Sequence, residues 1–189
     1  MDIVIESATK YISGHSDNFC GIIATNNNYF PKIKTTITRY GDYVNPESCI
    51  TAMRGLKTLS SRLDIHYKNA KKICNFLKTK KIVKKIIFPP DKNDNQHKLW
   101  KKYFLLGNGL LSFSISNIND IRLFLDNLKL FKIGFSWGGF ESLILPINKF
   151  NPLTKNSKKS LYSFRIHAGL ESSNDLINDL KQGFLKYEQ

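Results

Sequence analysis

The chain has 189 residues with 29 Lys and Arg against 15 Asp and Glu, a formal net charge of +14, and is long enough to bury a proper core. No stretch approaches the roughly 20 consecutive apolar residues of a membrane span, and Asp2 and Glu6 stand where an export signal would be basic, so the reading is a soluble, cytoplasmic chain with no membrane partner. Only five of the basic residues are arginines (Arg39, Arg54, Arg62, Arg122, Arg165) and the lysines are scattered among many Asn and Ile, the residues of A/T-rich codons, so drifted base composition accounts for the charge and no nucleic-acid partner is expected.

Ile3, Val4 and Ile5 form a short apolar run that predicts a buried strand delivering residues 7–10 into a loop. Gly21 to Thr25 reads as the next strand, closed by the turn at Asn26, Asn27 and Asn28; the segment from there to Tyr43 has no assignable pattern. Asn45-Pro46 predicts a helix start. Leu56, Leu63, Ala70 and Leu77, with Leu59, His66 and Ile73 beside them, then carry one apolar stripe to about Leu77. Such a helix reaches on the order of 45 Å, and Gly55 divides or kinks it.

Shorter units follow. Val83 to Phe88 reads as a strand ended by Pro89-Pro90, and Asp91 to Lys102 as polar loop. Gly109 to Ile115 is a strand, and Ile118 to Leu128 is a helix capped by Asn117. Leu130 to Phe135 and Ser142 to Leu145 are strands, residues 148–159 a loop, and Leu161 to His167 a strand. Ser173 to Phe184 is a final helix with Leu176, Ile177, Leu180 and Phe184 on one face. Interleaving of this kind predicts helices on one side of a small sheet. Cys20, Cys49 and Cys74 show neither a disulfide framework nor a C-x-x-C pair; they read as reduced packing residues, and no metal site is expected.

The chemistry is concentrated at the start. An amine that captures an aldehyde must be neutral part of the time, and Lys10, just after an apolar strand, fits a desolvated placement. Ser7 and Thr9 flank it at a reach suited to a phosphate. Near the other end, Arg165 sits between Phe164 and Ile166. It is either a charge on the solvent face of an edge strand or a buried guanidinium shaped for bidentate capture of a carboxylate. Ser136 beside Gly138-Gly139 closes a turn, Trp137 reads as core, and His15 and His167 are given no catalytic role.

The string from Ser7 to Asp17 resembles the cofactor-lysine motif of the Cys/Met-metabolism family of pyridoxal-phosphate enzymes. Three later blocks agree in order: Met53 to Arg62, Gly134 to Leu143 and Arg165 to Glu171. The resemblance runs from Met1 to about Phe184, and Trp137 is similar to the cystathionine β-lyase branch, where γ-acting members usually carry leucine.

What the resemblance implies is an α/β to α+β chain. It would be a C-terminal remnant of a fold-type-I large domain over residues 1–55, followed by the small α+β domain over 56–189 with the long linking helix. It also implies pyridoxal 5'-phosphate bound covalently at Lys10 with Ser7 and Thr9 beside it, and a substrate carboxylate held by Ser136 and Arg165 next to Trp137. The reaction would be β-elimination on a cystathionine-like, sulfur-containing amino acid, giving homocysteine, pyruvate and ammonia. Relatives form tetramers and take further cofactor contacts from segments before the lysine, so a separate N-terminal half is the expected partner and the chain alone is expected to be inactive. A non-catalytic remnant or interaction domain, or a γ-synthase or γ-lyase relative, is the alternative.

Overall fold

The computed structural model describes residues 2–116, 118–147 and 161–189. The chain divides into two compact units, Met1–Ser60 and Ser61–Gln189.

In the first unit, β1 (Ile3–Ser7) pairs antiparallel with β2 (Gly21–Thr25), from Ile3 opposite Thr25 to Ser7 opposite Gly21. Helix α1 (Phe30–Tyr40) has proline in its first turn and ends on Gly41, whose φ of 71° is the left-handed conformation that glycine adopts without strain. Helix α2 (Pro46–Lys78) then begins, with the Asn45 side-chain oxygen accepting from the Ser48 N–H at 2.7 Å, as an N-cap should. Ala8, Cys20 and Ala52 form a small buried cluster with Ile12 and Ile22 packed on it.

The second unit holds the rest of α2, then β3 (Val83–Ile87), α3 (His97–Tyr103), β4 (Leu110–Ser116), α4 (Ile121–Leu125), β5 (Lys132–Ile133), β6 (Leu143–Pro146), β7 (Leu161–His167) and α5 (Ser173–Tyr187). The five strands run in the order β3-β4-β7-β6-β5, antiparallel except for the parallel pair β5 and β6. Side chains alternate across a strand. Phe113 and Ile115 of β4 and Phe164 and Ile166 of β7 therefore join Ile73 and Leu77 of α2, Phe124 of α4, and Leu180 and Phe184 of α5 in one core. The Phe113 and Phe164 rings stack at 5.0 Å, and Phe124 lies 5.0 Å from Phe184. Each fully buried ring contributes roughly 1.5–3 kcal/mol. The approach to β5 is fixed by Asp179, whose carboxylate accepts the N–H groups of Lys129, Leu130 and Phe131 at 2.6, 2.9 and 3.0 Å.

The structure departs from the sequence reading at several places. The strand at Ile3 to Ile5 is exposed on both faces, Ile5 by 75 %, because among the described residues its sheet has two strands and no layer over it. The unassigned segment contains α1, and the loop from Asp91 contains α3. Gly55 lies inside an unbroken helix, and Leu56 of the stripe is exposed whereas Ala70, Ile73 and Leu77 are buried. The fourth helix is five residues long and is capped by Asp120, which accepts from the Arg122 N–H; Asn117 and the loop at 148–159 lie outside the described residues. The strand read at Leu130 to Phe135 is reduced to Lys132–Ile133. Strand β7 lies between β4 and β6, so Arg165 is not on an edge.

Candidate functional site

Lys10 sits on a tight turn leaving β1. Its N–H donates to Ser7 O at 3.0 Å, its carbonyl accepts from Gly14 N at 2.8 Å, and Ser13 N donates to Ala8 O at 2.8 Å. The Thr9 hydroxyl is engaged by one residue: it accepts from Cys20 N at 2.9 Å and donates to Cys20 O at 3.3 Å. Asn18 donates to Ser13 Oγ and to Ser48 O, each at 3.0 Å, tying the turn to the start of α2. Gly55 makes this approach possible, since a Cβ there would meet Ile12 O at 2.2 Å and Ser13 O at 2.6 Å. The result is a rigid turn with Ala8 and Ser13 fully buried, Lys10 half-buried and Ser7 exposed.

The second unit builds a different cluster, between the loop 134–142 that joins β5 to β6 and the end of β7. Arg165 Nη2 donates to the carbonyls of Gly134, Phe135 and Ser136 at 3.3, 2.8 and 3.0 Å. Its guanidinium carbon lies 5.2 Å over the Trp137 ring, in cation–π range. Two residues on, and so on the same face of β7, His167 places Nε2 3.1 Å from both Gly138 N and Gly139 O. One tautomer accepts from the first and the other donates to the second, so the ring holds the double glycine in either form. Gly138 has φ +86°, a conformation that favours glycine.

Farther along, Leu170 N donates to Phe140 O, and Glu171 accepts the Ser142 N–H and hydroxyl at 2.8 Å each. Gly169 N donates to Ser142 Oγ at 2.8 Å, and a Cβ at Gly169 would sit 2.3 Å from Phe140 O. Helix α2 braces this segment from behind. His66 Nδ1 donates to Ala168 O at 2.7 Å, and Asn69 donates to Gly169 O and Glu171 O at 2.9 Å each.

The His66 and His167 rings lie 5.0 Å apart. Burial pushes the His167 imidazole down to about 4, with the His66 and Arg165 charges acting the same way. Burial lowers His66 too, and Arg62 adds to it. The His167 ring is therefore neutral at pH 7.

The structure thus brings Ser7, Thr9 and Lys10 together in one unit and Ser136, Trp137 and Arg165 together in the other. The sequence reading missed Glu171, His66 and His167 as the residues that shape the loop. For His167 the signal was its two-residue spacing from Arg165; for the other two, partners lie 29 to 102 positions away.

Among the described residues no group of three or more His, Cys, Asp or Glu is placed to hold a metal ion, and no helix is long and apolar enough to cross a membrane.

The two-layer second unit, and the lysine turn beside a short ribbon in the first, define a chain with the fold of fold-type-I pyridoxal-phosphate enzymes. The crystal structure of cystathionine γ-lyase from Lactobacillus plantarum complexed with L-serine is similar to it over 100 % of this chain and 51 % of that chain, with TM-score 0.88 and 29 % identity. Residues 1–185 match the Cys/Met metabolism PLP-dependent enzyme family, and the chain belongs to it. A cystathionine γ-lyase of Dictyostelium discoideum is 39 % identical over 98 % of this chain and 50 % of its own length. A cystathionine β-lyase of Lactococcus lactis subsp. cremoris is 34 % identical over the same shares. The chain spans about half the length of the curated relatives it matches.

The residues present fit the family's cofactor in part. A half-buried lysine on a turn locked by the Gly55 close approach suits a covalent anchor, and Ser7 beside it is exposed. The Thr9 proton is committed to Cys20 O, so Thr9 fixes the turn and offers a phosphate no hydrogen in this arrangement.

Proposed function

We propose that this chain contributes the cofactor lysine and the carboxylate grip of a pyridoxal-phosphate-dependent carbon–sulfur lyase of the cystathionine β-lyase type. The observation that carries the reading is Arg165, oriented by three loop carbonyls and by the Trp137 ring. A guanidinium held in one plane presents N–H groups at fixed angles, which suits the two oxygens of an amino-acid carboxylate. Ser136, on the same loop, stands beside that carboxylate, and Trp137 closes the apolar side.

Lys10 Nζ holds the cofactor. When not engaged with the cofactor, Lys10 Nζ would take the proton from the substrate Cα and later return one. Pyridoxal phosphate, when bound, supplies the electron sink that makes the Cα proton acidic. The Cβ–S bond breaks and the sulfur leaves as the thiol; with water taken up, a cystathionine-like thioether ends as homocysteine, pyruvate and ammonia. Residues outside these 189, corresponding to the remaining half of the relatives' length, complete the cofactor site, and a separate N-terminal half is the partner proposed for it. A homo-tetramer, as in relatives, is the proposed assembly, and the cytoplasm the proposed location.

A second reading, γ-elimination, is favoured by the 39 % identity to a γ-lyase. Products separate the two. With L-cystathionine, cleavage at Cβ gives pyruvate and homocysteine, and cleavage at Cγ gives 2-oxobutyrate and cysteine.

The test combines the purified chain, the N-terminal half of the Dictyostelium relative as a second polypeptide, and pyridoxal phosphate. Borohydride trapping and peptide mapping follow. Label confined to Lys10, and present only when both polypeptides are there, supports the proposal. Label spread over surface lysines, or unchanged in Lys10→Ala, overturns it.

A further inference from the structure

A second cleft lies wholly inside the Ser61–Gln189 unit, where α2, the turn after Pro90 and α3 meet. Its volume is about 520 Å³, within the range of small-molecule sites. Two aromatic pairs line it. His97 and Trp100 stack at 5.7 Å with 29° between their planes, and Tyr67 and Phe88 lie 6.3 Å apart. The His97 ring is held by its Nδ1 contact to Pro89 O at 3.0 Å, which fixes the face offered with Trp100.

Three lysines reach the same cleft from three places in the chain: Lys71 on α2, Lys92 in the turn, and Lys101 on α3. Among the described residues none of them has a carboxylate partner. The one carboxylate in the lining, Asp91, is already neutralised. It is ion-paired with Lys78 and accepts from Asn93 N at 3.3 Å and from Cys74 Sγ at 3.6 Å. The lining therefore carries three lysines against one carboxylate that is already ion-paired, and its net charge is positive. Burial holds the Cys74 thiol up to about 11, so it is no nucleophile at neutral pH and the site is one for reversible binding.

We propose that this cleft binds a flat aromatic anion of the nucleoside monophosphate type, its ring stacked on the face of Trp100 that His97 leaves open and its phosphate among Lys71, Lys92 and Lys101. Aromatic faces accept any heterocycle, and an ammonium cluster accepts the phosphate without demanding one geometry. Neither part suffices alone: the ring supplies contact area, and the phosphate supplies the negative charge that the net-positive lining attracts.

The probe is adenosine monophosphate, titrated calorimetrically into the full chain. Trp100 fluorescence is followed in a Trp137→Phe background, where it is the remaining tryptophan of two. Saturable binding with quenching of Trp100 is expected, about tenfold weaker in Trp100→Ala from the lost stacking. It should also be about tenfold weaker in Lys71→Ala/Lys101→Ala, with both variants checked for the wild-type far-ultraviolet spectrum. Adenosine and inorganic phosphate should each bind at least tenfold more weakly than the nucleotide. Pyridoxine 5'-phosphate, which has no aldehyde to react with lysines, reports whether a smaller ring serves equally; its binding at the same residues supports the proposal. Absence of saturable binding at millimolar nucleotide overturns the proposal. So does unchanged affinity in the folded double lysine variant, or phosphate binding as tightly as the nucleotide.

Discussion

Glu171 accepts both the backbone N–H and the hydroxyl of Ser142, each at 2.8 Å, and through that pair the end of β7 dictates where β6 begins. The same Ser142 oxygen accepts from Gly169 N, so one buried hydroxyl closes two links. Replacing Ser142 by Ala removes both and leaves a buried N–H and part of a carboxylate unsatisfied. A loss of about 1–3 kcal/mol is expected, measured by urea unfolding. Glu171→Gln should cost less, because its amide oxygen still accepts one of the two protons.

Arg165→Lys should not substitute for arginine. A lysine ammonium lacks the planar fork that lets one nitrogen hold the three carbonyls while the rest of the guanidinium presents an edge to a carboxylate. The loop carbonyls of Gly134, Phe135 and Ser136 lose their donor. Trp137 fluorescence should shift in the free protein, and in the completed enzyme the KM for the amino acid should rise by about tenfold or more.

His167 makes the second unit sensitive to acid. Its folded value is down at about 4, against an ordinary 6.5, so between those values the unfolded chain binds the extra proton. Stability contributed by the neutral ring is fully present above about 6.5, falls as pH drops toward 4, and falls no further below it. The whole effect reaches about 3 kcal/mol. Unfolding midpoints at pH 4, 5, 6 and 7 should rise with pH, and His167→Gln should flatten that rise. His66, lowered in the same direction, accounts for a slope that remains.

Gly55→Ala tests the lysine turn. Its Cβ would stand 2.2 Å from Ile12 O, and a backbone oxygen in a hydrogen-bonded turn cannot swing aside. Although alanine favours a helix, the exchange should destabilise the first unit by about 1–3 kcal/mol. Faster hydrogen exchange at the Ser13 and Gly14 amides, whose bonds to Ala8 and Lys10 define the turn, is the expected sign. Unchanged exchange would mean that the turn does not depend on this contact.

Much of the frame was legible because it obeys simple periods. The Asn45 cap, the strand at Leu161 to His167 and the last helix all follow from spacing and end signals. The missed elements have weak patterns: α1 buries no residue, and α3 is a seven-residue helix rich in lysine. The apolar run at Ile3 to Ile5 was legible as a strand, but burial depends on what lies over it, which no local pattern contains. At the candidate site, Lys10, Ser136 and Arg165 stood out as residue types and motifs. The neutrality of His167, the engagement of the Thr9 hydroxyl and the grip of Glu171 on Ser142 arise from groups brought together by the fold.

Arg165, His167, Leu170 and Glu171 reach the loop opposite them in order, and apart from the Ser142 hydroxyl and the Trp137 ring they hold it by main-chain atoms. Each loop residue offers the same N–H and C=O whatever its side chain. The loop's course is therefore encoded largely in the strand, and it depends on Arg165, His167 and Glu171 more than on its own side chains.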